Sequence, residues 1–186
     1  MSDLEARAQR WIEEVHPHAR HLVRARDWAV ALEPPAGEAL RIAAVLHDVE
    51  RAFPDPGCPW DPAGDWDHPG YLRWHQERAA GIAAGWLEEQ DAARALVDEV
   101  HRLILVHEEG GWHEADVLQA ADSLSFLETL SGVTVAWVRN GTPAQRAIAK
   151  LQFMADRIRI DEARAEAAPL LERALADLDA AVLDRS

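Results

Sequence analysis

The chain has 186 residues and a formal net charge of −14, with a single lysine, Lys150, among its 19 basic side chains. That balance argues against non-specific binding to nucleic acid or to anionic membranes, both of which need clustered cations. Cys58 is the only cysteine, which excludes an intrachain disulfide, and no apolar run approaches the roughly 20 residues that span a bilayer.

The start of the chain is polar and lacks a signal-peptide pattern, so a reducing cytoplasm is the expected location. Ala, Leu, Arg and Glu dominate and β-branched runs are few, which predicts an all-α protein. Residues 3–16 form a first amphipathic helix with Leu4, Ala8, Trp11, Ile12 and Val15 on one face, and Pro17 ends it. A second helix over 18–33 carries Ala25, Trp28, Ala29 and Leu32, with His21 at the head of the stripe. After the Pro34-Pro35 turn a third runs over 37–51 and holds His47 and Asp48.

Residues 52–70 are too rich in proline and glycine for a helix, yet include Trp60 and Trp66. They predict an ordered surface loop over the mouth of a pocket. A fourth helix over 70–89 presents His75, Ala79, Ile82, Ala83 and Trp86, and a fifth over 91–108 ends on His107 before Gly110-Gly111. A sixth starts near Glu114, carries Asp122 between Leu118 and Phe126, and extends through Val133–Val138 to Asn140-Gly141. Thr142 and Pro143 read as N-cap and first residue of a seventh, and an eighth starts at Asp161 with a break at Pro169. The expectation is one helical bundle over 1–186, of seven or eight helices, with C-terminal helices over 142–184.

His47-Asp48 closes an apolar run, 39–48, that reads as buried helix. A carboxylate there needs a salt bridge or a cation to offset its burial. His21, His47, Asp48, His75, His107 and Asp122 each sit on or beside an apolar face, on five helices that a bundle brings together. Taken singly, each histidine is more often a hydrogen-bonded core residue, and His101 competes with His107; the set points to metal. Nitrogen and oxygen donors without thiolate suit one or two divalent ions of manganese, iron, magnesium, cobalt or zinc. His16, His18, His68 and His113 read as surface or loop residues.

The order His21, His47-Asp48, Asp122, all on helices, resembles the HD-domain superfamily of metal-dependent phosphohydrolases. His21-Leu22-Val23-Arg24, Ile42–Glu50, Ile104–His107 and Ala120–Leu124 resemble its motifs, over a motif core of about 18–130. The resemblance implies that His21, His47, Asp48 and Asp122 bind one metal. It implies that His75 and His107 bind a second, with Asp48 bridging. It also implies a phosphohydrolase acting through a metal-activated water on a nucleotide or small phosphorylated metabolite, with Asp48 or Asp122 orienting the water. One branch has a catalytic glutamate three residues after the signature aspartate; here that position is Arg51, which leaves Glu50 as the candidate. Arg24, Arg51, Arg73 and Arg78 are candidate phosphate ligands, and Trp66 and Trp112 are candidate stacking platforms. Two alternatives stay open: an HD-type diiron oxygenase that cleaves a carbon bond, and a metal-binding regulatory domain without turnover. A homodimer is among the expectations for assembly.

Overall fold

Ser2 starts the first helix: its hydroxyl accepts from the Glu5 amide at 3.1 Å, satisfying one of the donors that a helix start leaves open. In the computed structural model, which describes residues 1–61 and 63–183, α1 (Asp3–Val15) is followed by α2 (Ala19–Leu32), α3 (Glu38–Leu46), α4 (Pro69–Glu89), α5 (Arg94–Ile104), α6 (His113–Ser125), α7 (Gly132–Arg139), α8 (Ala144–Asp156) and α9 (Asp161–Leu183). Among the described residues every regular element is helical, as expected. Pro62, placed in the loop by the sequence reading, and residues 184–186, at the end of its C-terminal helices, lie outside the described residues. No described helix is long and apolar enough to cross a membrane.

α2 lies between α3 and α6, and α4 pairs with α5. These helices enclose one apolar cluster around Leu22, Ile42, Leu46, Leu87 and Leu118. A second cluster, around Leu124, Leu151, Met154, Ile158 and Leu178, joins α6 to α8 and α9. Trp28, Leu32 and Ile160 pack against both.

The structure departs from the expected elements in five places. The third helix ends at Leu46, not 51, and a short 3-10 turn, Val49–Ala52, follows. The fifth ends at Ile104, ahead of His107. The sixth is interrupted by a π turn, Phe126–Leu130, which makes α7 a separate helix. Thr129 Oγ1 takes the Ser125 carbonyl there at 2.8 Å. Finally, Pro169 does not break α9. Both it and Ala165, whose carbonyl it cannot bond, lie on the exposed face, where water replaces the missing donor. The cap of α8 also shifts by one residue, from Thr142 to Pro143. Gly110 and Gly111, expected to stop the fifth helix, lie beyond its end in the turn that leads to α6, with φ of 71° and 130°, and the Gly111 amide donates to Asp116 at 2.8 Å.

Glu5 is 1% exposed and fastens α1 to its neighbours, accepting from Arg26 at 3.0 Å and Arg41 at 2.8 Å. Burial would raise its pKa, but Arg41 and Arg26 outweigh that and hold it below the usual 4.5. The unfolded chain therefore binds this proton more readily than the folded one. The stabilisation is full above pH 4.5 and is lost as pH falls through the folded value. Glu5→Gln should cost about 2–3 kcal/mol at pH 7, less than a fully buried pair because both guanidiniums reach solvent. Urea unfolding at pH 7 and pH 3 checks this: the gap between wild type and variant should shrink at the lower pH.

Candidate metal centre

Two histidines just beyond helix ends turn back onto them. His47 Nδ1 donates to Ala44 O at 2.9 Å at the end of α3, and His107 Nδ1 donates to Ile104 O at 2.7 Å at the end of α5. Each imidazole thus satisfies one of the carbonyls that a helix end leaves open, and this is what stops both helices early. His21, in the first turn of α2, is held differently. The Ser125 hydroxyl donates to His21 O at 2.6 Å, so its oxygen accepts from His21 Nδ1 at 2.9 Å. His75, in α4, donates from Nδ1 to Glu50 Oε1 at 2.8 Å. In all four histidines Nδ1 carries a hydrogen, which in the neutral ring leaves the lone pair on Nε2.

The four Nε2 atoms converge on carboxylates. Those of His21 and His47 are each 3.2 Å from Asp122 Oδ1. That of His75 is 3.1 Å from Asp48 Oδ1 and 3.1 Å from His107 Nε2, which is itself 4.0 Å from Asp48 Oδ1. Donors about 2.1 Å from one cation and at right angles are about 3.0 Å apart. Neutral imidazole lone pairs and carboxylate oxygens repel at such distances unless a cation lies among them. His47 Nε2 is also buried and makes no hydrogen bond. The residues fit a metal ion by these tests, and two buried groups, His21-His47-Asp48 and Asp48-His75-His107, can hold one.

Without metal, protons do part of this work. Burial disfavours the imidazolium of His47, yet Asp122 outweighs it and raises its pKa; for His75 burial is likewise outweighed, by Glu50 and Asp48, and the rise is larger. His107 stays neutral, its pKa lowered to about 4 by burial and by His75. Burial would raise Asp48 and Asp122, but Arg51 and His75 hold the first, and Arg157 and His47 the second, well below the carboxylate range. Metal binding would displace the imidazolium protons.

Five of the six side chains singled out in the sequence form the two groups, and Asp122, outside both, lies against His21 and His47; His101 also stays outside. Glu50 does not line the cavity beside them: the 3-10 turn carries it to α4, where it accepts from His75 Nδ1 and orients that ring. Of the four candidate arginines Arg51 alone lines that cavity, bonded to Asp48 Oδ2 and Tyr71 Oη at 2.9 Å each. Arg24 pairs with Glu128 at 2.6 Å over Trp28, Arg73 is exposed, and Arg78 donates to Phe53 O. Trp66 lines the cavity from the proline-rich loop, as expected, whereas Trp112 lies under Arg102, 4.3 Å from its ring centre.

Several site residues gave no readable signal. His16, expected at the surface, is buried and donates to Asp48 O at 3.2 Å. His18 is exposed, as expected, but stands at the cavity. Glu108 places Oε1 3.7 Å from His75 Nε2 and 3.9 Å from His107 Nε2. Arg157 joins Glu108 to Asp122 and also donates to Ser123 at 2.8 Å. Burial would raise Glu108, but Arg157 lowers it to about 2. Lys150, the single lysine, lines the cavity, where burial lowers its pKa to about 8.

No protein-family model, curated protein or solved structure matches the chain.

Proposed function

We propose that the chain is a metal-dependent phosphohydrolase of HD-domain type, acting on a small phosphorylated molecule. The observation that carries this is the set of four imidazoles, each fixed through Nδ1 and turning Nε2 toward Asp48, Asp122 or its neighbours beside an open cavity. The resemblance of the His21, His47-Asp48 and Asp122 motifs to that superfamily supports it. One or two divalent ions of manganese, iron, magnesium, cobalt or zinc, when bound, lower the pKa of a water and polarise a phosphoryl oxygen.

The chain's own residues do the rest. Asp48 and Asp122 hold the ligand geometry and orient the attacking water. Arg51 sits at the cavity beside Asp48, where its remaining guanidinium donors can meet a phosphoryl oxygen. In the net reaction the water oxygen forms a P–O bond and the ester P–O bond breaks. The organic group leaves with the bonding pair and takes up a proton as the alcohol.

Metal quantification in untagged protein, with a phosphate-ester panel run in manganese, magnesium, cobalt and iron, tests this. At least one ion per chain and chelator-sensitive release of phosphate are expected. A metal-loaded protein inert across the panel overturns the hydrolase and favours a regulatory domain.

A second reading, an HD-type diiron oxygenase, draws support from Asp48 belonging to both ligand groups. Two irons per chain with substrate-dependent oxygen uptake would favour it over the hydrolase.

A further inference from the structure

We propose that the cavity takes a small phosphomonoester with an apolar organic group, whose phosphate Lys150 holds and whose organic group lies along Phe126, Leu130, Val133 and Trp137. This rests on the hydrolase reading for its chemistry, though the binding part stands by itself.

The Lys150 ammonium lies 5.2, 5.4 and 5.3 Å from the ring centres of Trp66, Phe126 and Phe153. Among the described residues it makes no hydrogen bond or ion pair. A lysine ordinarily carries its charge out to water; here it faces a cavity with aromatic rings around it and no counter-ion in contact. Arg51, the other strong cation in the lining, is already bonded to Asp48 and Tyr71. Lys150 therefore keeps its whole ammonium for an incoming anion, beside the Arg51 donors that are left, in a cavity that Asp122 and Glu108 also line.

The apolar lining says what the anion is attached to. Phe126, Leu130, Val133 and Trp137 follow at helical spacing through the π turn and α7, and all four line the cavity. Apart from the Trp137 indole N–H, this face is hydrocarbon and has few partners for sugar hydroxyls or for the ring nitrogens of a base. Burying such groups unpaired is costly. The space is also small, about 220 Å³, below the roughly 300 Å³ at which pockets for drug-sized ligands begin. Both features favour a compact aryl or alkyl phosphate over a nucleotide.

Calorimetric titration with phenylphosphonate, adenosine monophosphate and inorganic phosphate tests the proposal, with metal content measured in every sample. Phenylphosphonate should bind the wild-type protein about ten-fold more tightly than either other probe, and Lys150→Met should weaken it by about ten-fold with metal content unchanged. Equal binding of the nucleotide, or full affinity in metal-replete Lys150→Met, overturns the proposal. Should Lys150→Met lose metal, Val133→Asp decides. An acid in the wall should remove the preference for phenylphosphonate over inorganic phosphate, and an undiminished preference overturns the proposal. Lys150-dependent phenylphosphonate binding without turnover of phenyl phosphate would sink the hydrolase reading and leave this one standing. Turnover of phosphate esters with no such dependence would do the reverse.

Discussion

Replacing Asp48 with alanine is expected to strip metal from both ligand groups at once. Asp48 belongs to the His21-His47 group and to the His75-His107 group, so its loss removes a donor from each. His21→Ala and His107→Ala each touch one group, and each should lower affinity at that group alone. The loss in Asp48→Ala should exceed the about 10–100-fold that removal of an outer-shell partner costs, because an ionised donor disappears. The backbone beneath is separately held: His16 bonds Asp48 O, and Arg51 N donates to the same carbonyl at 3.0 Å. The variant should therefore keep its helical far-ultraviolet spectrum. Elemental analysis after dialysis, for the three variants and wild type, reads the result directly. Wild-type metal content in Asp48→Ala would mean that neither group is a metal site.

The candidate ligands are legible because burying a polar residue on an apolar helical face leaves a mark on periodicity. His21 at the head of an alanine-rich stripe and Asp122 between Leu118 and Phe126 are visible for that reason. What the pattern cannot carry is a side chain that competes with its own helix. His47 and His107 lie beyond the helices they were assigned to because each imidazole takes a carbonyl near the helix end. Glu108 and Arg157 escaped for another reason. They satisfy each other across 49 residues of sequence, and a long-range ion pair has no local signature. The arginines fared worst, since a guanidinium near a ligand in sequence finds whichever carboxylate or carbonyl the fold supplies. Arg24 found Glu128 and Arg78 found Phe53 O, both away from the cavity. The apolar wall of α7 was equally hidden: a hydrophobic stripe reads the same whether it meets core or substrate.

Arg157→Leu should separate the structural role of that guanidinium from the metal's. Arg157 is buried against Glu108 and Asp122, and no other arginine or lysine forms an ion pair with either among the described residues. Its removal leaves two buried carboxylates facing each other without their guanidinium counter-charge, a change that costs about 3–5 kcal/mol in buried pairs. In chelator, thermal unfolding should fall by roughly 6–20 °C, at about 2–4 °C per kcal/mol for a chain of this size. Metal should then close the gap. A divalent ion bound only by the folded state adds RT ln(1 + [L]/Kd), about 2.7 kcal/mol at one hundred times Kd. It should bind the variant more tightly because two carboxylates there have lost their competing partner. The deficit measured in saturating metal should therefore be smaller than in chelator, and the apparent metal Kd lower than wild type. An equal deficit under both conditions would mean that Glu108 and Asp122 do not face an ion. Arg157 would then be an ordinary buried clamp between α6 and α8.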